Sequence, residues 1–165
     1  MVKSLEQRVK PQILVDAEAE LPILLRQEGW NGAKIYSSPK VNRVYRAWRE
    51  GFLFLHLLHE DPEVRSSLHK HYGNMWVMLN EGRYEMDIAM ESREKPTAYV
   101  RQEIETGEWY FMGPNDWHRI RPITKEIKSV VVVQDWIPPV IADVMGEWMT
   151  TRALEQHLEM FREYY

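Results

Sequence analysis

Between Val41 and Asp135 the chain is a succession of short extended runs separated by turn residues, and this pattern limits the fold more than any other feature. Runs of about 4–8 β-branched and aromatic residues, bounded by Gly, Pro, Asn and Asp, indicate strands. Asn80-Glu81-Gly82 and Thr106-Gly107 are typical of hairpin turns. Many short strands in succession predict a mainly β antiparallel sandwich or barrel, and a jelly roll fits best. The predicted strands are 42–48, 52–59, 68–79, 83–89, 97–104, 108–112, 118–122 and 127–135.

Helical patterns flank this region on both sides. Residues 15–27 predict a helix, with Pro22 limiting its length or marking a new start and with Gly29 and Asn31-Gly32 ending the segment. After Trp136 apolar residues recur at intervals of three and four, which predicts C-terminal helices, and Gly146 is a point at which they can divide. The apolar residues of this stripe are Ile141, Val144, Met145, Trp148, Leu154, Leu158 and Phe161. We therefore expect one domain over 1–165, with a barrel core at 41–135, an N-terminal extension at 1–40 and a helical tail at 139–165.

Composition narrows the classes of function. With no cysteine the chain has neither disulfides nor thiolate ligands, which excludes zinc fingers and iron–sulfur centres, so histidine and oxygen donors must hold any transition metal. A formal charge of -4 with well-mixed signs argues against a nucleic-acid duplex or an anionic membrane as partner, and a small-molecule ligand is expected. No apolar run is long enough to span a bilayer and the first residues are too polar for a secretory signal, so a cytoplasmic location is expected.

Two short passages carry the candidate chemistry. In a strand, side chains two residues apart share a face, so His69 and His71 can aim both imidazoles at one point. Downstream, a strand at 108–112 is followed by a tight turn at 113–116 and a second strand from His118, which returns a third imidazole towards the sheet. Imidazole nitrogens suit iron, zinc, copper and nickel. The three histidines therefore predict a transition-metal site.

These residues resemble the motifs of the small single-domain cupins, a jelly-roll superfamily. The first cupin motif has an HxH pair, then a glutamate, then a glycine, and His69, His71 and Gly82 match it. The second motif supplies another histidine, and Gly107 and His118 match it at the family's spacing. The resemblance covers roughly residues 50 to 135. It implies the cupin-type double-stranded β-helix and a metal held by His69, His71 and His118.

One position departs from the cupin pattern. Counting back from Gly82 places the motif glutamate at Met75, whose thioether is a poor ligand for a hard divalent ion. Cupins without the glutamate, such as the cysteine-dioxygenase-like and diketone-cleaving branches, hold ferrous iron and leave positions for substrate and dioxygen. Three neutral donors also leave the full charge on the ion, which favours anionic substrates. The resemblance thus implies an Fe(II) dioxygenase acting on a small organic acid, with Zn, Ni or Mn as other metals.

Two alternatives stay open at this point. One is a non-redox enzyme of the same superfamily, a sugar isomerase or epimerase. The other is a non-catalytic cupin that lost its metal together with the glutamate and binds a small ligand or a protein. Met75 supports the second alternative, because it can equally be a core residue beside Val77 and Leu79.

Strand alternation sorts the remaining residues by face. The pocket is predicted to include His56, Met75 and Val77, together with Trp109 and Phe111, although alternation alone leaves the opposite pair, Tyr110 and Met112, equally open. No catalytic residue beyond the metal ligands is assigned.

Other residues are expected outside the pocket. Trp76 and Met78 lie opposite the histidines and need a cover, from the helical tail or from a second subunit, so we expect a homodimer. Arg119 and Arg121 should point away from the metal, and His157 is expected to be a packing or surface residue.

Overall fold

The computed structural model describes residues 9–36, 39–71, 73–135 and 146–165. These residues form ten strands flanked by two helices. In chain order the elements are α1 (Gln12–Leu24), β1 (Asn31–Ile35), β2 (Val41–Trp48), β3 (Gly51–Leu58), β4 (Asn74–Glu81), β5 (Arg83–Ala89), β6 (Tyr99–Glu105), β7 (Trp109–Met112), β8 (His118–Pro122), β9 (Ile127–Gln134), β10 (Gly146–Trp148) and α2 (Thr151–Arg162).

The strands form two antiparallel sheets. The larger has the order β10-β1-β2-β3-β9-β4-β7, and the smaller has the order β6-β5-β8. The crossing of the chain between sheets, which places β9 between β3 and β4, is the arrangement expected of a jelly roll. The predicted fold class, mainly β and antiparallel with helices at both ends, is confirmed. Neither α1 nor α2 is long and apolar enough to cross a membrane.

Apolar side chains pack in two layers, one on each face of the larger sheet. Phe54 and Val131 point between the two sheets, into the interior of the barrel. Val130 and Val132, their neighbours by alternation, point outwards into a second cluster with α1 and α2. Because β9 is covered on both faces, its residues 130–133 form an unbroken apolar run rather than an alternating pattern.

The two helices cover the outer face of the larger sheet. The Thr150 hydroxyl caps α2 by accepting the backbone N–H of Ala153 at 3.1 Å. At the other end of α2, Arg162 donates to the Leu25 carbonyl at 2.7 Å and joins the ends of the two helices. Met78 is buried in this layer and Trp76 is partly buried against it. The helices thus supply the cover that these residues were predicted to need, and the homodimer stays a prediction.

Several predicted boundaries are wrong. The predicted strand at 68–79 begins only at Asn74, and α1 runs from Gln12 to Leu24, passing through Pro22. The predicted N-terminal extension contains β1, and the predicted helical tail contains β10, which includes Trp148. Three other residues of the apolar stripe, Ile141, Val144 and Met145, lie outside the described residues, and the last three lie on α2.

Two glycines lie inside strands, where they allow close packing, although the sequence prediction assigned one to the end of a helical segment and the other to a division between helices. A Cβ on Gly32 would come within 2.6 Å of the Met149 sulfur. A Cβ on Gly146 would come within 2.5 Å of the Lys34 carbonyl oxygen, where β10 pairs with β1. Glycine in a strand often marks such a close approach. A glycine read as a turn or helix break can therefore lie inside a strand.

Candidate metal centre

Three histidines meet at the mouth of the barrel. His118 begins β8, and its backbone exchanges two hydrogen bonds with His69, at 2.9 Å and 2.8 Å. This isolated bridge, rather than a continuous strand, positions the HxH pair. One ring nitrogen from each of His69, His71 and His118 lies within 4.8 Å of the others. The predicted convergence of the three imidazoles is confirmed.

Hydrogen bonds select the metal-binding nitrogen of two of these imidazoles. The Nδ1 of His69 lies 2.8 Å from the Ser67 carbonyl oxygen, which can only accept, so Nδ1 carries the proton. The Nδ1 of His118 lies 3.4 Å from the Met86 thioether sulfur, also an acceptor. In both rings Nε2 is therefore the unprotonated nitrogen, whose lone pair can bind a ligand. A metal-bound imidazole usually has its other nitrogen held in this way.

Burial keeps the three imidazoles neutral. Desolvation lowers the pKa of His71 to about 3, with the neighbouring His69 and Arg43 adding to the effect. Desolvation likewise lowers the pKa of His118 well below its ordinary value, and lowers that of His69 despite the opposing effect of its hydrogen bond to the Ser67 carbonyl. Neutral imidazole is the form that binds a metal. The cluster is therefore in its metal-binding form at neutral pH.

The separation between the His71 and His118 nitrogens fits a single ion. The Nε2 atoms of His71 and His118 are 3.0 Å apart. Two nitrogens bound at about 2.0–2.1 Å to one ion lie about 2.9 Å apart at a right angle and about 3.4 Å apart at the tetrahedral angle. The observed separation falls within this interval. It also fits a hydrogen bond from His71 to His118, so the rings satisfy each other without an ion.

The histidines open onto a cavity of about 80 Å³ inside the barrel. A smaller adjoining cavity of about 30 Å³ shares part of its wall. The larger cavity is lined by Pro39, Val41, Arg43, His56, Leu58, His69, His71, Met75, Val77, Tyr84, Tyr110, His118, Ile120, Ile127, Ser129 and Val131. Three residues of the predicted pocket, His56, Met75 and Val77, line it.

The prediction that Trp109 and Phe111 line the pocket is wrong. On β7 it is Tyr110 and Met112 that are buried and face the interior, whereas Phe111 is exposed. Trp109 packs in the helix layer on the outer side of the sheet. Alternation could not choose between the two faces, because both carry large apolar groups.

On the floor of the barrel, sequence reasoning predicted His56 but missed its polar neighbours Arg43 and Ser129. Arg43, His56 and Ser129 are cross-strand neighbours on β2, β3 and β9, and all three line the cavity. Desolvation lowers the pKa of both Arg43 and His56. The Arg43 Nε and His56 Nε2 are buried without a hydrogen-bond partner among the described residues. The sequence signal that could have found Arg43 was strand alternation from Val41 to Tyr45, which places the Arg43 side chain inwards.

Two tyrosines close another side of the cavity. The Tyr84 hydroxyl, on β5, donates to the Tyr110 hydroxyl, on β7, at 2.6 Å. Both side chains are almost fully buried. Burial raises the pKa of Tyr110 to about 12 and raises that of Tyr84 well above its ordinary value. Both phenols therefore stay protonated at neutral pH.

The arginines beside His118 face away from the cavity, as predicted. Arg119 donates to Asp87 at 3.0 Å, and Arg121 donates to Glu85 at 3.2 Å, on the outer face of the smaller sheet. His157 is a packing residue, also as predicted, because it is buried on α2 and bonded to the Leu55 carbonyl at 3.0 Å.

Comparisons with known proteins support the fold. No protein-family model and no curated protein sequence matches the chain. Among solved structures, an oxalate decarboxylase from Lactobacillus farciminis in complex with formate matches with a TM-score of 0.51 and 13% identity, over 67% of this chain and 34% of that one. Hydroxypropylphosphonic acid epoxidase from S. wedmorenis matches with a TM-score of 0.48 and 13% identity, over 62% of this chain and 55% of that one.

The chain thus spans about half the length of the epoxidase and about a third of the decarboxylase. At this identity the similarity shows the fold alone. Together with the sheet order, the decarboxylase match shows a cupin fold, and within that fold the three imidazoles form a candidate metal site.

Proposed function

We propose that the protein is a metal-dependent cupin enzyme, an Fe(II) dioxygenase acting on a small organic acid. One observation carries the proposal: three neutral imidazoles converge inside the barrel, and hydrogen bonds at Nδ1 leave Nε2 as the unprotonated nitrogen of two of them. Three histidine nitrogens form a set that suits iron and leaves other coordination positions open. When bound, ferrous iron supplies redox chemistry with dioxygen at those positions.

Met75 makes the ligand set neutral. It is buried on β4 and lines both cavities, at the position of the cupin glutamate. A thioether adds no charge, so a divalent ion held by three imidazoles keeps its full positive charge. The apolar walls from Met75, Val77 and Ile120 exclude water and strengthen electrostatic interactions within the cavity.

Arg43 supports an anionic substrate. Its side chain lines both cavities, and among the described residues it has neither an ion pair nor a hydrogen bond. A desolvated guanidinium without a counter-ion is costly. A carboxylate matches the planar donor geometry of arginine. Arg43 and the ion together thus favour a substrate bearing a carboxylate.

The first test is the metal content of untagged protein. Wild type is expected to hold close to one equivalent of iron after anaerobic reconstitution, and His69→Ala/His71→Ala is expected to hold none. His59→Ala is the matched control, because His59 lies outside the cluster and bonds to Asn42. Oxygen uptake is then measured with a panel of small carboxylic acids. Arg43→Gln is expected to raise KM at least tenfold with the iron content unchanged.

Other outcomes favour the alternatives. Bound zinc, nickel or manganese without oxygen uptake would favour a non-redox enzyme such as a sugar isomerase or epimerase. No metal in wild type after reconstitution would overturn the proposal and favour a binding module. In that case the contact between His71 and His118 is a simple hydrogen bond.

A further inference from the structure

The paired tyrosines bring together strands of different sheets. Tyr84 comes from the smaller sheet and Tyr110 from the edge of the larger one, and their rings meet edge to face with centroids 6.4 Å apart. Both line the cavity that contains the three imidazoles. A pair of buried hydroxyls in an otherwise apolar wall is expensive unless every polar atom is satisfied.

The pair lies close to the histidine cluster. Tyr84 and Met86 share the inward face of β5, two residues apart, which corresponds to about 7 Å along a strand. The Met86 sulfur contacts the His118 ring at 3.4 Å. Tyr84 is thus one strand repeat away from Met86, whose sulfur contacts His118, on the same side of the barrel.

Counting the hydroxyl hydrogens shows that the tyrosine pair lacks one hydrogen-bond acceptor. Two phenols carry two hydroxyl hydrogens, and their mutual hydrogen bond uses one. Whichever hydroxyl donates, the other hydrogen has no acceptor among the described residues. With Tyr84 as donor, the unused hydrogen belongs to Tyr110. A buried donor left without an acceptor costs about 1–3 kcal/mol.

We propose that the Tyr84–Tyr110 pair donates its unused hydroxyl hydrogen to a carboxylate oxygen of the ligand that occupies the histidine cavity. Tyr110 is the binding group, and Tyr84 is a positioning residue that orients and polarises the Tyr110 hydroxyl. The inference rests on the proposed function, because it assumes a carboxylate ligand beside the metal site. It adds a neutral donor on the wall formed by β5 and β7.

The test uses acetate as the probe and cobalt(II) as a spectroscopic substitute for iron. Cobalt is loaded into wild type, Tyr110→Phe, Tyr84→Phe and the double variant, and acetate binding is followed by visible absorption. Tyr110→Phe and the double variant are expected to bind acetate about tenfold more weakly at unchanged cobalt content. Tyr84→Phe keeps the donor and is expected to lose about threefold.

Stability measurements separate binding from packing. Tyr110→Phe leaves the Tyr84 hydroxyl unpaired and lowers the urea midpoint, whereas the double variant removes both hydroxyls and restores the midpoint towards that of wild type. Weak acetate binding combined with a restored midpoint supports the proposal. Tyr45→Phe is the matched control, since Tyr45 packs with Phe52 and Phe54 in the barrel and does not line the cavity.

Wild-type acetate affinity in the double variant, at equal cobalt content, would overturn the inference while leaving the metal site intact. If wild type binds no cobalt, the proposed function fails separately. In that case acetate binding to metal-free wild type and to the metal-free tyrosine variants is measured by calorimetry. Weaker binding by Tyr110→Phe and by the double variant would support the inference, and equal binding would overturn it.

Discussion

His157 makes the stability of the protein depend on pH. The imidazole is buried on α2, stacks on Phe161 with centroids 5.3 Å apart, and bonds through Nε2 to the Leu55 carbonyl. Its Nδ1 is buried without a hydrogen-bond partner among the described residues. Protonation would place a charge and an unsatisfied N–H in this layer. Desolvation is the main cause that lowers the pKa of His157 to about 4, against a smaller raising effect of the Leu55 bond.

The lowered pKa of His157 determines the sign and the size of the change in stability with pH. Between pH 4 and pH 6.5 the unfolded chain binds the proton more readily than the folded protein, so the contribution of His157 to stability rises with pH. It is fully present above the unfolded pKa and is lost as the pH falls towards the folded value. A pKa of about 4 in the folded protein and about 6.5 in the unfolded chain gives about 2 kcal/mol between about pH 7.5 and about pH 5.

His157→Gln tests this estimate. Glutamine keeps a donor for the Leu55 carbonyl and does not titrate. The free energy of unfolding is measured by urea denaturation of wild type and variant at about pH 7.5 and about pH 5, with a chelator present so that metal binding does not contribute. Wild type is expected to lose about 2 kcal/mol more than the variant over this interval. An equal loss in both proteins would show that His157 is not held neutral by burial and would refute the reasoning.

Three further substitutions have defined outcomes. Met75→Glu places a carboxylate at the position of the cupin glutamate and should raise metal affinity, measured by equilibrium dialysis, more than tenfold. Met75→Leu should leave the affinity unchanged. Loss of metal in the leucine variant would show that Met75 is a ligand. Asp87→Asn removes the charge that three arginines share on a side chain only 2% exposed, and should cost about 2 kcal/mol in urea unfolding. Unchanged stability would show that those ion pairs contribute nothing. Gly51→Ala places a Cβ 1.9 Å from the Val133 carbonyl oxygen, which should cost about 3 kcal/mol in thermal unfolding; a wild-type midpoint would contradict that contact.

Local sequence pattern was sufficient to predict the bounds of two strands that have one polar face. β5 and β8 have the predicted bounds, because apolar residues alternate with charged ones and turn residues precede both strands. β1 and β10 were not predicted, because β10 has only three residues and both contain a glycine that permits close packing. The strand predicted at 68–79 was too long, because a backbone bridge to His118, which is distant in sequence, positions His69.

The sequence by itself determined the mainly β fold and the three histidines, because strand periodicity and motif spacing are properties of neighbouring residues. Only the tertiary structure decided which face of β7 lines the cavity and which polar groups meet there. Arg43 and His56 become neighbours through the β2–β3 register, and Tyr110 reaches Tyr84 through the approach of the two sheets. These contacts join residues far apart in the chain. Their partners depend on strand pairing and sheet packing, which local periodicity does not encode.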